Sequence, residues 1–83
     1  MAVNGMQSSA WGTYLYANNI TIGNPNSNTP GLTLSKLYSY GGPINFGAYA
    51  NNSLTAGTIL ADNAYIELEA YSGNLSVNNI FLT

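Results

Sequence analysis

Residues 65–71 read YIELEAY, and this stretch decides the fold class. Its apolar residues Ile66, Leu68 and Ala70 alternate one by one with glutamates and tyrosines. A period of two places successive side chains on opposite faces of a strand, whereas a helix needs a period near 3.6. The stretch therefore predicts a β-strand with one buried face.

The same alternation appears in four further segments, at residues 11–16, 20–22, 32–40 and 54–60. Groups of Asn, Gly, Pro and Ser separate these segments, and such residues adopt the backbone angles of tight turns. Strong helix formers other than Ala and Leu are scarce. The pattern predicts an all-β protein of five to seven short strands, arranged as a small antiparallel sandwich or as a barrel or meander.

A weak internal repeat allows a second arrangement. Tyr16, Tyr38, Tyr49, Leu60 and Tyr71 are spaced by multiples of 11 residues, and similar polar turns follow several of them. A meander of short strands produces such spacing without any duplication, and this is the interpretation we favour. The alternative is a short β-solenoid with coils of about 22 residues.

The apolar positions change phase near the C-terminus. Leu75 and Val77 are two positions apart, as are Ile80 and Leu82, but Val77 and Ile80 are three positions apart. We therefore expect a turn or a β-bulge at Asn78-Asn79.

The length of 83 residues predicts one small β domain, residues 1–83. Residues 1–9 suit an extended N-terminal arm, and residues 78–83 suit a strand that pairs with a partner. The stretch 1–15 lacks the basic and apolar regions of a signal peptide, so we expect no leader.

The composition excludes most kinds of chemistry. The chain contains one basic residue, three acidic residues, no His and no Cys. It therefore has no His-activated nucleophile, no His or Cys metal site and no disulfide. Binding to nucleic acid or to an anionic membrane surface needs several Lys or Arg. We predict no enzymatic activity, no cofactor and no bound metal.

The acidic residues form a candidate group of their own, because Glu67 and Glu69 share one strand face and Asp62 lies close in sequence. Such a group can be a solvated face, a Ca²⁺ site or the carboxylate pair of a glycoside hydrolase. We favour the solvated face, since adjacent exposed glutamates lack the burial that raises a catalytic pKa. The only base, Lys36, can pair with either glutamate or pack its stem at a strand end.

A chain poor in charge and rich in Tyr and Asn is suited to contact with another surface. Tyrosine pairs can anchor an interface, fill a core or stack on sugars, and we favour the interface. The candidate interface residues are Trp11, Tyr14, Tyr16, Lys36, Tyr38, Tyr40, Ile80, Phe81 and Leu82.

These observations favour a structural virion protein. The first hypothesis is a bacteriophage capsid-decorating (cement) protein or a small tail or fibre component, located in the virion. It would be a homo-oligomer, such as a trimer, bound to a larger capsid, tail or filament protein. One alternative is a lectin-like carbohydrate-binding module, and another is an extracellular or cell-surface filament subunit.

Overall fold

The computed structural model describes residues 2–3, 6–8, 12–27, 29–34, 44–62 and 64–82, which form nine strands and no helix. The all-β prediction is confirmed, with more strands than the expected five to seven. In chain order they are β1 (Ala2–Val3), β2 (Met6–Ser8), β3 (Gly12–Ala17), β4 (Ile20–Ile22), β5 (Pro30–Leu34), β6 (Ile44–Ala50), β7 (Leu54–Ala61), β8 (Ala64–Ala70) and β9 (Leu75–Leu82).

Every strand pairing among these residues is parallel. The antiparallel sandwich, barrel or meander is therefore wrong in its strand direction. Alternation identifies the buried face of a strand, but it does not identify the neighbouring strand. Here the turns at residues 18–19, 51–53 and 71–74 join strands of two different sheets, and each strand pairs with one from an adjacent coil.

The smaller sheet has the strand order β3-β6-β8. The larger sheet has the order β1-β4-β7-β5-β2, with β9 also paired to β7. The chain thus passes along the smaller sheet, turns, returns along the larger sheet and begins the next coil. In the last coil Ile44 lies beside Ala64 and Leu54 beside Leu75, which corresponds to about 20 residues. This winding is that of the β-solenoid considered as the alternative.

The hydrophobic core lies between the two sheets and is built mainly from the middle coils. Inward side chains of β4, β5, β6 and β7 are almost completely buried, because each has a strand on both sides. The buried apolar residues are Ile20, Ile22, Leu32, Leu34, Ile44, Phe46, Ala48, Ala50, Leu54, Ala56, Ile59 and Ala61.

Strand β6 is the central strand of the smaller sheet, although sequence analysis did not identify it as a strand. Its inward positions alternate as Ile44, Phe46, Ala48 and Ala50, all of them buried. The signal was present but weak, since two of these residues are alanines and Gly47 interrupts the outer positions.

The turns from the smaller to the larger sheet stack on one another, and they lengthen along the chain. Residues 18–19 connect β3 to β4, residues 51–53 connect β6 to β7, and residues 71–74 connect β8 to β9. Asn51 Nδ2 donates to Asn18 Oδ1 at 3.0 Å and links the first two turns. The 11-residue spacing is not a structural repeat: Tyr16 pairs with Tyr49, 33 residues later, but Tyr49 pairs with Glu69, only 20 residues later.

The phase change near the C-terminus is accommodated without a turn or a shift of register, so the expected turn or β-bulge at Asn78-Asn79 is wrong. Strand β9 is continuous, and its register with β7 is the same before and after this point. The four consecutive residues 56–59 of β7 are all buried, so alternation breaks there as well. The alternation of inward and outward side chains shifts by one residue at the same position in both strands, and their pairing is therefore kept.

In the preceding coil the same position carries a loop between β4 and β5, of which residues 23–27 and 29 are described. The two ends of this loop meet at Gly23 and Gly31, where a Cβ added to Gly23 would lie 2.8 Å from the Cα of Gly31. Gly23 has a φ of 68°, which favours glycine. Asn78 Nδ2 donates to the Pro25 carbonyl, which ties the loop to β9.

Candidate functional site

The last coil, formed by β8 and β9, is uncovered on one side. Within the described residues β8 pairs with β6 alone, and β9 pairs with β7 alone. Each strand therefore has a free edge, and both edges lie at the same end of the solenoid. We call this end, comprising residues 64–70 and 75–82, the open end.

An apolar depression of about 320 Å³ occupies the open end. Leu75, Ile80 and Leu82 expose 51%, 42% and 65% of their surface there. The described residues that line it are all apolar: Ala64, Ile66, Leu68, Leu75, Val77, Ile80 and Leu82.

This lining repeats the inward pattern of the preceding coil. Ile59 of β7 is fully buried, whereas its partner Ile80 in β9 is partly exposed. The difference arises because β9 covers β7, while no described strand covers β9. The open end is thus a cross-section of the hydrophobic core, and further apolar surface can be removed from water there.

The free edges carry few of the features that protect edge strands from association. Strands β8 and β9 contain no Lys and no Pro. The only charged residues on them are Glu67 and Glu69, which alternate with the inward Ile66 and Leu68 and so lie on the outer face of β8. Unpaired backbone groups on such edges can pair with another strand.

A second feature is a cluster of tyrosines on the outer face of the smaller sheet. Tyr16 and Tyr49 occupy paired positions, and their rings stack with centroids 5.0 Å apart. Gly47 makes room for this arrangement, since a Cβ added there would lie within 3 Å of the rings of Tyr49 and Tyr14. We call Tyr14, Tyr16, Tyr49 and Tyr71 the tyrosine face.

Two glutamates of β8 border the tyrosine face. Tyr49 Oη donates to Glu67 Oε2 at 3.1 Å. Partial burial, together with the hydrogen bond and negative charge of Glu67, raises the pKa of Tyr49 to about 12. A hydrogen bond to Glu69 is the main cause that raises the pKa of Tyr71. Hydrogen bonds to these two carboxylates therefore link the tyrosine face to β8.

The predicted interface residues fall into three groups. Ile80 and Leu82 line the open end, whereas Phe81 between them points to the opposite face of β9 and is 54% exposed. Tyr14 and Tyr16 lie on the other sheet, in the tyrosine face. The remaining candidates, Trp11, Lys36, Tyr38 and Tyr40, lie outside the described residues.

Sequence analysis missed five residues of the depression as interface candidates. Ile66 and Leu68 were predicted to face a core, but nothing in their pattern indicates that this core is open. For Ala64, Leu75 and Val77 too, nothing in the sequence pattern indicates exposure at an open core. Exposure of an inward position depends on whether another coil follows, which local alternation does not encode.

The described residues include no group of three Asp, Glu, His or Cys side chains arranged to hold a metal ion. Across the same part of the chain, no helix has the length and apolar character needed to span a membrane. No protein-family model, curated protein or solved structure compared with the chain matches it. Its function is therefore inferred from its own sequence and geometry.

Proposed function

We propose that this chain is a structural subunit of a virion, such as a bacteriophage capsid-decorating protein or a small tail or fibre component. Its role would be to pack as a homo-oligomer on a larger capsid, tail or filament protein. The chain would act through surface contacts and not through catalysis. Neither nucleic acid nor a membrane would be its partner.

The observation that carries this proposal is the open end. Seven apolar side chains line it, and it is framed by two strand edges that no other described strand pairs with. Burial of apolar surface is worth roughly 25 cal/mol per Å², and strand pairing would satisfy the free backbone groups at the same time. A subunit with this end covered is more stable than one with it exposed to water.

The charge distribution supports the same role. The formal net charge is only −2, and the lining of the open end carries no charge. Electrostatic repulsion between subunits is therefore weak, and apolar contact can dominate their association.

The direct test uses sedimentation and electron microscopy of the purified protein and of its source particles. We expect an oligomer at micromolar concentration and additional density on a particle, tail or fibre. A free filament would instead support the extracellular filament subunit, which needs only repeated pairing at the strand edges. A stable monomer with no affinity for a shell or filament would contradict both assembly roles.

The tyrosine face favours a second candidate function, carbohydrate binding. Tyr16 exposes most of its ring beside Tyr49, and Glu67 and Glu69 offer acceptors for sugar hydroxyls. Flat aromatic rings next to hydrogen-bond acceptors suit a ligand with one apolar and several polar faces. A glycan array tests this function. Tyr16→Ala should abolish binding, while Tyr65→Ala, an exposed tyrosine outside the stacked pair, should retain it.

A further inference from the structure

We propose that the open end is covered by a second copy of this chain, related by a two-fold axis that places β9 of each copy beside β8 of the other. This inference rests on the proposed assembly role and specifies its partner and symmetry. It comes from the winding of the strands, the shape of the open end and the position of the glutamates.

The open end is stepped. In each coil a strand of the smaller sheet precedes a strand of the larger sheet, so β9 lies further along the solenoid axis than β8. The step is about half of the ~4.8 Å spacing between paired strands. A partner that completes both sheets must therefore reach further on the β8 side than on the β9 side.

A second copy related by a two-fold axis parallel to the strands has this shape. The axis exchanges the two sheets, so the protruding β9 of one copy meets the recessed β8 of the other, and the reverse. Both contacts then have the spacing of a normal strand pair, and both are antiparallel. The interface is self-complementary, as a closed dimer requires.

Head-to-tail stacking does not fit as well. The described strands form four levels in the larger sheet, starting with β1 and β2, but three in the smaller sheet, starting with β3. If β1 and β2 of a translated copy continue the larger sheet beyond β9, one strand is missing from the smaller sheet between β8 and that copy's β3. If that copy's β3 is instead placed beside β8, its β1 and β2 overlap β9 of the first copy.

The charges favour the same axis. The exchange of sheets places Glu67 and Glu69 of one copy beside β9 of the other, which contains no charged residue. A two-fold axis that paired β9 with β9 would instead bring the glutamates of both copies to the same side. Like charges on facing strands are unfavourable.

The first experiment compares two substitutions at adjacent positions of β9. Leu82→Glu introduces a charge into the depression, and Phe81→Glu introduces the same charge on the opposite face. Both side chains are exposed in the single chain, so both variants should retain its β circular dichroism spectrum. By sedimentation, Leu82→Glu should weaken self-association at least ten-fold, while Phe81→Glu, whose charge stays in water on the outer face, should weaken it far less.

The second experiment measures distances between spin labels, because the absence of Cys allows labels at single introduced cysteines. Thr21 and Ser76 both align with Thr55 across the larger sheet, at different distances from the open end. The two-fold contact predicts that the labels on two copies of Ser76→Cys lie closer together than the labels on two copies of Thr21→Cys. Equal distances would indicate head-to-tail stacking and would overturn the inference.

A mixture of separately labelled copies identifies the axis. The distance from Tyr71→Cys in one copy to Ser76→Cys in another should be shorter than the distance between two Ser76→Cys labels. The reverse order would indicate pairing of β9 with β9 and would also overturn the inference. An oligomer with the wrong distances leaves the assembly role intact, whereas a chain that neither self-associates nor binds a particle contradicts both.

Discussion

Thr58 is a polar residue inside an apolar layer. It is 2% exposed, and its Oγ1 is buried without a hydrogen-bond partner among the described residues. An unsatisfied buried hydroxyl costs about 1–3 kcal/mol, and valine has nearly the same shape. We predict that Thr58→Val raises the free energy of unfolding by about 1 kcal/mol, measured by denaturant titration. Thr55→Val, at a half-buried position of the same strand, should have a smaller effect; a loss of stability in Thr58→Val would contradict this account.

The Tyr49–Glu67 contact makes stability depend on pH in the alkaline range. The folded chain holds the phenolic proton more tightly than the unfolded chain, because the pKa of Tyr49 rises from 10.0 to about 12. Its contribution to stability is therefore complete below pH 10 and is lost as the pH rises toward 12.

We predict that Glu67→Gln lowers the pKa of Tyr49, since it removes both the charge and the charged acceptor. Ultraviolet absorbance of tyrosinate follows the titration, and a Tyr49→Phe variant identifies this group among the seven tyrosines. Glu69→Gln serves as the control, because Tyr71 is the tyrosine that it holds by hydrogen bond. An equal shift of Tyr49 in both variants would show that Glu67 is not its specific partner.

At the scale of elements, the loop between β4 and β5 depends on Gly23 at its start and on Gly31 in β5. Gly23 combines a positive φ with close backbone contact to Gly31. We predict that Gly23→Ala lowers the free energy of unfolding by more than about 1 kcal/mol, because alanine is disfavoured at this φ and its Cβ meets backbone. Thermal unfolding provides the measurement. Asn26→Ala, at an exposed position of the same loop, should change stability little.

Most of the strands, though not β6, could be predicted from sequence, but their pairing could not. Residues 65–71 identify β8 and its inward Ile66 and Leu68, because burial on one face leaves a period of two. Parallel and antiparallel pairing both satisfy this period. The difference depends on whether a turn returns the chain beside its own strand or into another sheet, and Asn-rich turns such as Asn51-Asn52 serve both.

The whole molecule determines which inward residues become a site. Ile59 and Ile80 have the same side chain at paired positions, yet one belongs to the core and the other to the open end. The sequence predicted Ile80 and Leu82 as contact residues because they are apolar and near the end of the chain. It also grouped Phe81 with them, and the structure separates Phe81 by the alternation of β9.

Removal of residues 78–83, the segment that the sequence predicts to pair with a partner, is a poor test of assembly. The deletion takes away the part of β9 that pairs with Ile59, Leu60 and Ala61 of β7. The core of the chain would be opened together with the interface. We predict a loss of stability in the single chain as well as a loss of association, and circular dichroism at low concentration would detect the former.

The open end makes the stability of the whole molecule depend on its concentration. Association stabilises the folded state by mass action when only folded copies bind each other. We therefore predict that the midpoint of thermal unfolding of the native chain rises as its concentration increases from micromolar to millimolar. Leu82→Glu should remove this dependence, since its charge keeps the open end in water, whereas Phe81→Glu should preserve it. A midpoint independent of concentration in the native chain would mean that the apolar cross-section is stable in water without a partner, and the assembly role would then lose its physical basis.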